Sequence, residues 1–208
     1  MPVSRETTLN APVGGLNTSK ARTNSDPSTA LELINWVPDV DHLRIRSGHA
    51  SHATGMTGEI ETLMAWRGMT SSKVKACVDE KIYDVTSNGA VGAAEKSSLT
   101  NNYWSWVNYS TSGASYLVCA NGADAVSAYD GTTWTTPTLT GVTSADMIYV
   151  TTFKTRLWFV EKNSTSAWLL PVDVITGTVS EFDVGTQFRR GGNLVAISSW
   201  SFDSGEGP

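Results

Sequence analysis

The chain has 208 residues, 40% hydrophobic and 17% charged, with a net charge of -5 and an isoelectric point near 5.1. That length allows one or two domains with a real core, and the charge content lies below the usual quarter. The acidic balance excludes a protein that grips nucleic acid over its whole surface.

Residues 1 to about 25 are rich in Thr, Asn, Ser and Gly, with few apolar anchors. They read as an extended arm that is ordered by contact with something else. Met1-Pro2-Val3-Ser4-Arg5-Glu6-Thr7 has no apolar run behind its charges, so it does not read as a signal peptide. Asn24-Ser25-Asp26-Pro27 predicts the start of a short helix, with Ser25 or Asp26 as cap and Pro27 in the first turn. Ala30, Leu31, Leu33, Ile34 and Trp36 would form its apolar face, and Pro38 would stop it. Leu43-Arg44-Ile45-Arg46 alternates like a strand.

From Gly58 onward short apolar runs alternate with turns. Ile60–Trp66, Val74–Val78 and Lys81–Val85 form a first group of predicted strands, with Asp79-Glu80 as a turn. Tyr103–Asn108, Ser115–Ala120 and Ala125–Tyr129 form a second, punctuated by Asn121-Gly122 and Asp130-Gly131. Met147–Thr152, Leu157–Glu161 and Ala167–Val172 form a third, with Lys154-Thr155 as a tight turn. Tyr83, Tyr129 and Leu170, on the third strand of each group, recur every ~40–47 residues, the period of β-propeller blades. A fourth unit begins at Asn193-Leu194-Val195-Ala196-Ile197-Ser198-Ser199-Trp200 and is cut short. Three and a half blades do not close a ring, so the native polypeptide is expected to be longer, or the missing blades to come from elsewhere.

The fold class expected is therefore all-β. Residues 1–58 would be an arm with one short helix and one strand, and residues 59–208 propeller-like blades with the last truncated. No run approaches the length needed to cross a bilayer, and no membrane insertion is expected.

No catalytic constellation stands out, and no catalytic, cofactor or metal residue is assigned. Ser127-Ala128-Tyr129-Asp130-Gly131-Thr132-Thr133-Trp134 nearly matches the Asp-box of sialidase-type propellers. Tyr129 occupies the Asp place and the carboxylate slips to Asp130; such boxes stabilise turns away from catalysis. A sialidase would also want clustered arginines for the substrate carboxylate, and Arg156, Arg189 and Arg190 are few and scattered. His49 and His52, with His42 nearby, lie in a loop-like stretch without the Cys or carboxylates that complete a metal site. Glu161, Asp173, Glu181 and Asp183 could furnish a glycosidase pair only if the fold brings two of them together. Gly14-Gly15 and Gly191-Gly192 lack the further residues of a phosphate loop. Cys77 and Cys119 sit in apolar strand patterns as two buried thiols, with pairing across strands left open. No Lys or Arg stands between Lys96 and Lys154, while Asp124, Asp130 and Asp146 do, so a face built from this stretch repels phosphate.

An ordered set of segments carries a resemblance. Gly14-Gly15-Leu16-Asn17-Thr18 is followed by the predicted helix, Trp36-Val37-Pro38 and Leu43-Arg44-Ile45-Arg46-Ser47-Gly48. Then come Glu61-Thr62-Leu63-Met64-Ala65, Lys81-Ile82-Tyr83-Asp84-Val85, Asn121-Gly122-Ala123-Asp124 and Tyr129-Asp130-Gly131-Thr132-Thr133-Trp134. Phe153-Lys154-Thr155-Arg156-Leu157-Trp158-Phe159-Val160-Glu161-Lys162-Asn163 and Phe188-Arg189-Arg190-Gly191-Gly192 complete the set. Together, over nearly the whole chain, they resemble the tail nozzle, or tail tubular protein B, of short-tailed bacteriophages, also described as a packaged-DNA stabilisation protein.

The resemblance implies a non-enzymatic, propeller-based subunit of a hexameric ring, assembled in the bacterial cytoplasm and carried in the virion tail. Its implied partners are copies of itself, the portal and adaptor, tail fibre or spike proteins, and double-stranded DNA that passes without sequence-specific binding. No cofactor is implied. The base-free stretch from Ser97 to Phe153 would contribute to the channel, and the arm from Met1 to Asn24 would pack on a neighbour. The alternative is a tail-associated propeller that binds or hydrolyses carbohydrate, with some of the eight tryptophans as stacking platforms.

Overall fold

In the computed structural model, residues 11–19 and 21–199 are described. The chain divides into two compact units, Met1–Ala50 and Ser51–Pro208. The division falls earlier than the expected 58/59, because residues 53–54 pair with residues 89–90 of the second unit. Among the described residues the only helix is three single 3-10 turns, at Arg22–Asn24, Ser144–Asp146 and Gly185–Gln187.

The first unit is held by backbone rather than by a core; Gly15 is its one buried residue among those described. Gly14 N donates to Ser28 O at 2.7 Å, Ala30 N to Gly15 O at 2.9 Å, and Asn17 N to Ala30 O at 2.8 Å. A Cβ on Gly14 would come within 2.8 Å of Ser28 O, so this close approach requires glycine. Strands β1 (Trp36–Pro38) and β2 (Leu43–Ile45) form an antiparallel hairpin, with Trp36 opposite Ile45.

The helix expected over residues 30–35 is absent. Asp26 does cap, as foreseen, but it closes a turn: its Oδ1 accepts from Ser28 N and Oγ at 2.8 and 2.7 Å. Ala30 then spends both backbone groups on Gly15 and Asn17, and Asn35 turns left-handed with φ 61°. An α-helix needs those groups for itself. Residues 1–10 of the expected arm lie outside the described residues.

The second unit is three antiparallel meanders in sequence. It opens with β3 (Ala53–Thr54), which runs parallel to β7 (Gly89–Ala90). Sheet 1 has the order β4 (Thr62–Arg67), β5 (Ser72–Val78), β6 (Lys81–Asp84). Sheet 2 contains β8 (Ser105–Ser110), β9 (Ser115–Ala120), β10 (Ser127–Tyr129) and β11 (Trp134–Thr135). After β12 (Leu139–Thr140), sheet 3 is built from β13 (Met147–Phe153), β14 (Arg156–Glu161) and β15 (Ser166–Leu169). Next, β16 (Gly177–Thr178) pairs with β12 in parallel, and β17 (Ser180–Asp183) forms the outer edge of sheet 3. The first strands begin at Thr62, Ser105 and Met147, steps of 43 and 42 residues. The sheets are all-β as expected; among the described residues they do not close into a ring.

Asp79-Glu80 and Lys154-Thr155 make the predicted two-residue turns, and all four residues have positive φ, between 48° and 56°. That is the geometry that matches strand twist, reached here without glycine.

Alternation along the strands of sheet 2 sends side chains to two cores. Leu117, Cys119 and Tyr129 join Met64, Trp66, Cys77 and Ile82 of sheet 1 in one buried cluster. Val118, Ala120 and Ala128 join Met147, Val150, Leu157 and Phe159 of sheet 3 in another. Sheet 2 is thus buried on both faces, which explains why its stretch carries no Lys or Arg. The first strands lie beside one another, and side chains satisfy their free edges. Asn108 imitates a peptide group: its Nδ2 donates to Ala65 O at 2.8 Å and its Oδ1 accepts from Arg67 N at 2.9 Å. Ser105 Oγ likewise accepts from Val150 N at 3.2 Å.

The fourth strand expected from Asn193 is not formed over residues 193–199; among the described residues they are tied to sheet 3 by Leu194 N, which donates to Ser164 O of the β14–β15 turn at 2.8 Å. A strand needs a ladder partner, and these residues have none among those described.

Asn108→Ala should cost about 1–2 kcal/mol, the worth of two modest hydrogen bonds, with an unchanged denaturant slope. Urea unfolding checks it; an unchanged midpoint would show that the amide does not tie β8 to β4.

Candidate functional site

The most concentrated polar chemistry lies between sheets 1 and 2, around Lys75. Alternation on β5 turns Lys73, Lys75 and Cys77 toward sheet 2, and Lys75 is 0% exposed. Its Nζ donates to Asp84 Oδ2 at 2.8 Å, Glu95 Oε1 at 2.7 Å and Tyr129 Oη at 3.2 Å. It also stands 4.3 Å from the centre of the Tyr129 ring, a cation–π distance. Asp84 faces Lys75 directly across the β5–β6 ladder. Glu95 is held from its other oxygen by Trp134 Nε1 at 2.9 Å. Lys73 Nζ donates to the same Tyr129 oxygen at 3.1 Å.

Burial disfavours the charge on Lys75, but the hydrogen bonds it donates to Asp84, Glu95 and Tyr129 outweigh it and raise its pKa above the usual value. Burial likewise works against the Asp84 carboxylate, yet bonds from Lys75 and Thr86 bring its pKa down to about 2. The cluster is a charge-balanced interlock. Kept as an ammonium, Lys75 is no base or nucleophile, and its bonds tie β5 to β6, to Glu95 and to Tyr129 of sheet 2.

The Asp-box-like stretch feeds this interlock. Asp130 Oδ1 accepts from both Thr132 N and Thr133 N at 2.7 Å, closing the turn in the role expected. Tyr129, in the Asp place, points inward to the lysines. Gly131, at φ 97°, lies over the Trp66 indole; a Cβ there would fall 2.4 Å from its ring, so the turn, Trp66 and Tyr129 are packed as one piece.

The other residues singled out in the sequence are not brought together. His42 Nδ1 meets Asp41 at 2.7 Å, His52 Nε2 donates to Val85 O at 2.9 Å, and His49 is exposed. Among the described residues no group of three His, Cys, Asp or Glu side chains is placed to hold a metal ion. Each of the four carboxylates is engaged separately. Glu161 accepts from Trp168 Nε1 at 3.0 Å, and Glu181 from Ser166 Oγ at 2.6 Å. Asp173 accepts from Ser112 N at 2.7 Å. Asp183 accepts from Thr165 Oγ1 and Gly185 N, which lower its pKa. Arg156 half-buries against Leu170 O, while Arg189 and Arg190 sit in an exposed turn closed by Gly191 N to Phe188 O.

Cys77 and Cys119 are free and buried in the same cluster; burial raises Cys77 to about 12 and Cys119 well above its usual value, so both stay thiols. Lys96 donates to Ser127 Oγ, and burial lowers its pKa, but Ser127 is fully buried and offers no nucleophile to a substrate.

What sequence reasoning missed is Lys75 itself. Its one visible signal was a lysine at an inward position of β5, flanked by Val74 and Ala76. A second feature is an aromatic cleft of about 400 Å³ on the outer face of sheet 3, lined by Thr151, Phe153, Trp158, Phe182 and Ile197–Ser199.

No protein-family model matches this chain, and neither a curated protein nor a solved structure shows significant similarity to it.

Lys75→Met should destabilise by about 3 kcal/mol, because it leaves Asp84 and Glu95 without their cation; adding Glu95→Gln should restore part of that. Thermal or urea unfolding of the single and double variants measures it. The Asp84 pKa lies below its unfolded value of 3.8, so its stabilisation is present above about pH 4 and is lost as pH falls toward 2. Urea midpoints across that range should fall more steeply for the parent chain than for Lys75→Met.

Proposed function

We propose that this chain is a structural subunit of a short-tailed phage nozzle. In this reading it forms a ring below the portal and adaptor, extends the DNA channel and helps retain the packaged genome. The three sheets are propeller blades, with β4, β8 and β13 as their inner strands. The observation that carries the reading is the near-constant step of 43 and 42 residues between meander sheets packed face to face. The resemblance supplies the specific role. Its Asn121–Asp124 and Asp130–Trp134 segments are turns of sheet 2, and its Phe153–Asn163 segment is the β13–β14 hairpin.

The engaged carboxylates and the charge-balanced Lys75 cluster support a structural rather than enzymatic role. Sheet 2 is buried on both faces and offers little surface to a channel. Only the exposed parts of the base-free stretch, such as Ser97, Ser98, Thr132 and Thr133, are available to face DNA. Neutral side chains there let a duplex slide. The partners are other copies in a sixfold ring, the adaptor or portal, and fibre or spike proteins, with the arm from Met1 to Asn24 packing on a neighbour.

The aromatic cleft gives a second reading its one support: Phe153, Trp158 and Phe182 present ring surface of the kind that stacks on sugars. The rings meet edge to face at 60° and 82°, however, and do not form a flat platform.

Electron microscopy of the full-length product, with and without its tail neighbours, separates the two. Sixfold rings with an open axial channel are expected. Monomers or trimers that bind glycans on an array, or release reducing sugar, would replace the nozzle with a receptor-binding propeller.

A further inference from the structure

We infer that the aromatic face of sheet 3 is the seat of a fourth unit, and that its occupant is this chain's own segment beginning at Asn193. This rests on the blade reading above and deepens it.

The argument starts from a tether that recurs at each step. In sheet 1 the β5–β6 turn is bonded to the segment leading into sheet 2, through Leu99 N to Glu80 O at 3.1 Å. In sheet 2 the turn after β9 is bonded to the start of sheet 3, through Gly122 N to Met147 O at 2.8 Å. In sheet 3 the turn after β14 is bonded to the segment beyond, through Leu194 N to Ser164 O at 2.8 Å. Each tether joins the same turn of one sheet to an apolar residue of the chain that follows: Leu99 six residues before β8, Met147 at the start of β13, and Leu194 beyond β17. Leu99 and Met147 are buried, and Leu194 is half-buried.

The second observation is the face itself. Sheet 2 shows what such a face takes, since both of its faces are covered by neighbouring sheets. The outer face of sheet 3 carries Phe153 at 45% and Phe182 at 52% exposure, with Trp158 between them in edge contact with both. Exposed aromatics grouped in this way mark an interface rather than a solvent surface. Residues 197–199 already line that cleft, with Ile197 half-buried. The position also fits the spacing. Sheets that open at 62, 105 and 147 place the next within a few residues of 193. A second copy or a foreign partner would have to displace a segment that is tethered to the site.

The test uses Thr151→Cys/Ser199→Cys in the full chain, treated with a short bismaleimide. Cys77 and Cys119 are buried thiols, and the parent chain serves as the unreactive control. An intramolecular cross-link in most molecules is expected, along with several-fold higher binding of a hydrophobic dye by a chain ended at Gly192. Absence of the cross-link in folded T151C/S199C overturns the inference, as does unchanged dye binding by the shortened chain. A cross-link formed between two chains would also overturn it, and would make a second copy the occupant. Sixfold rings seen without the intramolecular cross-link would sink this inference alone and leave the nozzle reading standing.

Discussion

A β-sheet has two faces, and the second unit is organised by what covers them. Sheet 2 is covered on both sides, by Met64 and Trp66 of sheet 1 and by Val150 and Phe159 of sheet 3. Apolar burial of that kind is the largest favourable contribution to the fold. It dictates the side-chain alternation on β9, the absence of basic residues through the stretch, and the close approach of the first strands. Once those strands lie side by side, their outer backbone groups lose water, and Asn108 and Ser105 answer them.

The Lys75 cluster is the exception to an apolar interface, and its placement is informative. Apolar contact between two sheets is non-directional, so it fixes their separation better than their register. A charge bonded to β6, to Glu95 beyond it and to Tyr129 on β10 fixes one relative position. Trp66 wedged beneath Gly131 adds a steric stop at the same seam. The first interface therefore carries a buried charge that fixes its register, whereas the second is a largely apolar cluster with neutral hydrogen bonds such as Val150 N to Ser105 Oγ beside it.

Hairpins were legible because their signal is local. The strand runs around Asp79-Glu80 and Lys154-Thr155 alternate within a few residues of their turns, and both turns formed where expected. The helix over residues 30–35 misled because capping and apolar spacing were right while the backbone was claimed elsewhere. Gly15 and Asn17, far earlier in the sequence, hold Ala30. Lys75 was illegible for the same reason. Its partners are 9, 20 and 54 residues away, and no spacing rule joins them. The poverty in basic residues was visible, but its cause was not, because a buried sheet and a neutral channel wall read alike in sequence.

The sheets are meanders of neighbouring strands, and each interface joins sheets that are adjacent along the chain. Contacts of that kind close short loops, which form quickly. Sheet 1 can gather before sheet 2 is complete, and each finished sheet offers the next a ready surface. The Glu80–Leu99 and Gly122–Met147 bonds tie each sheet to the chain that follows it, so each new sheet is anchored to its predecessor at one fixed turn.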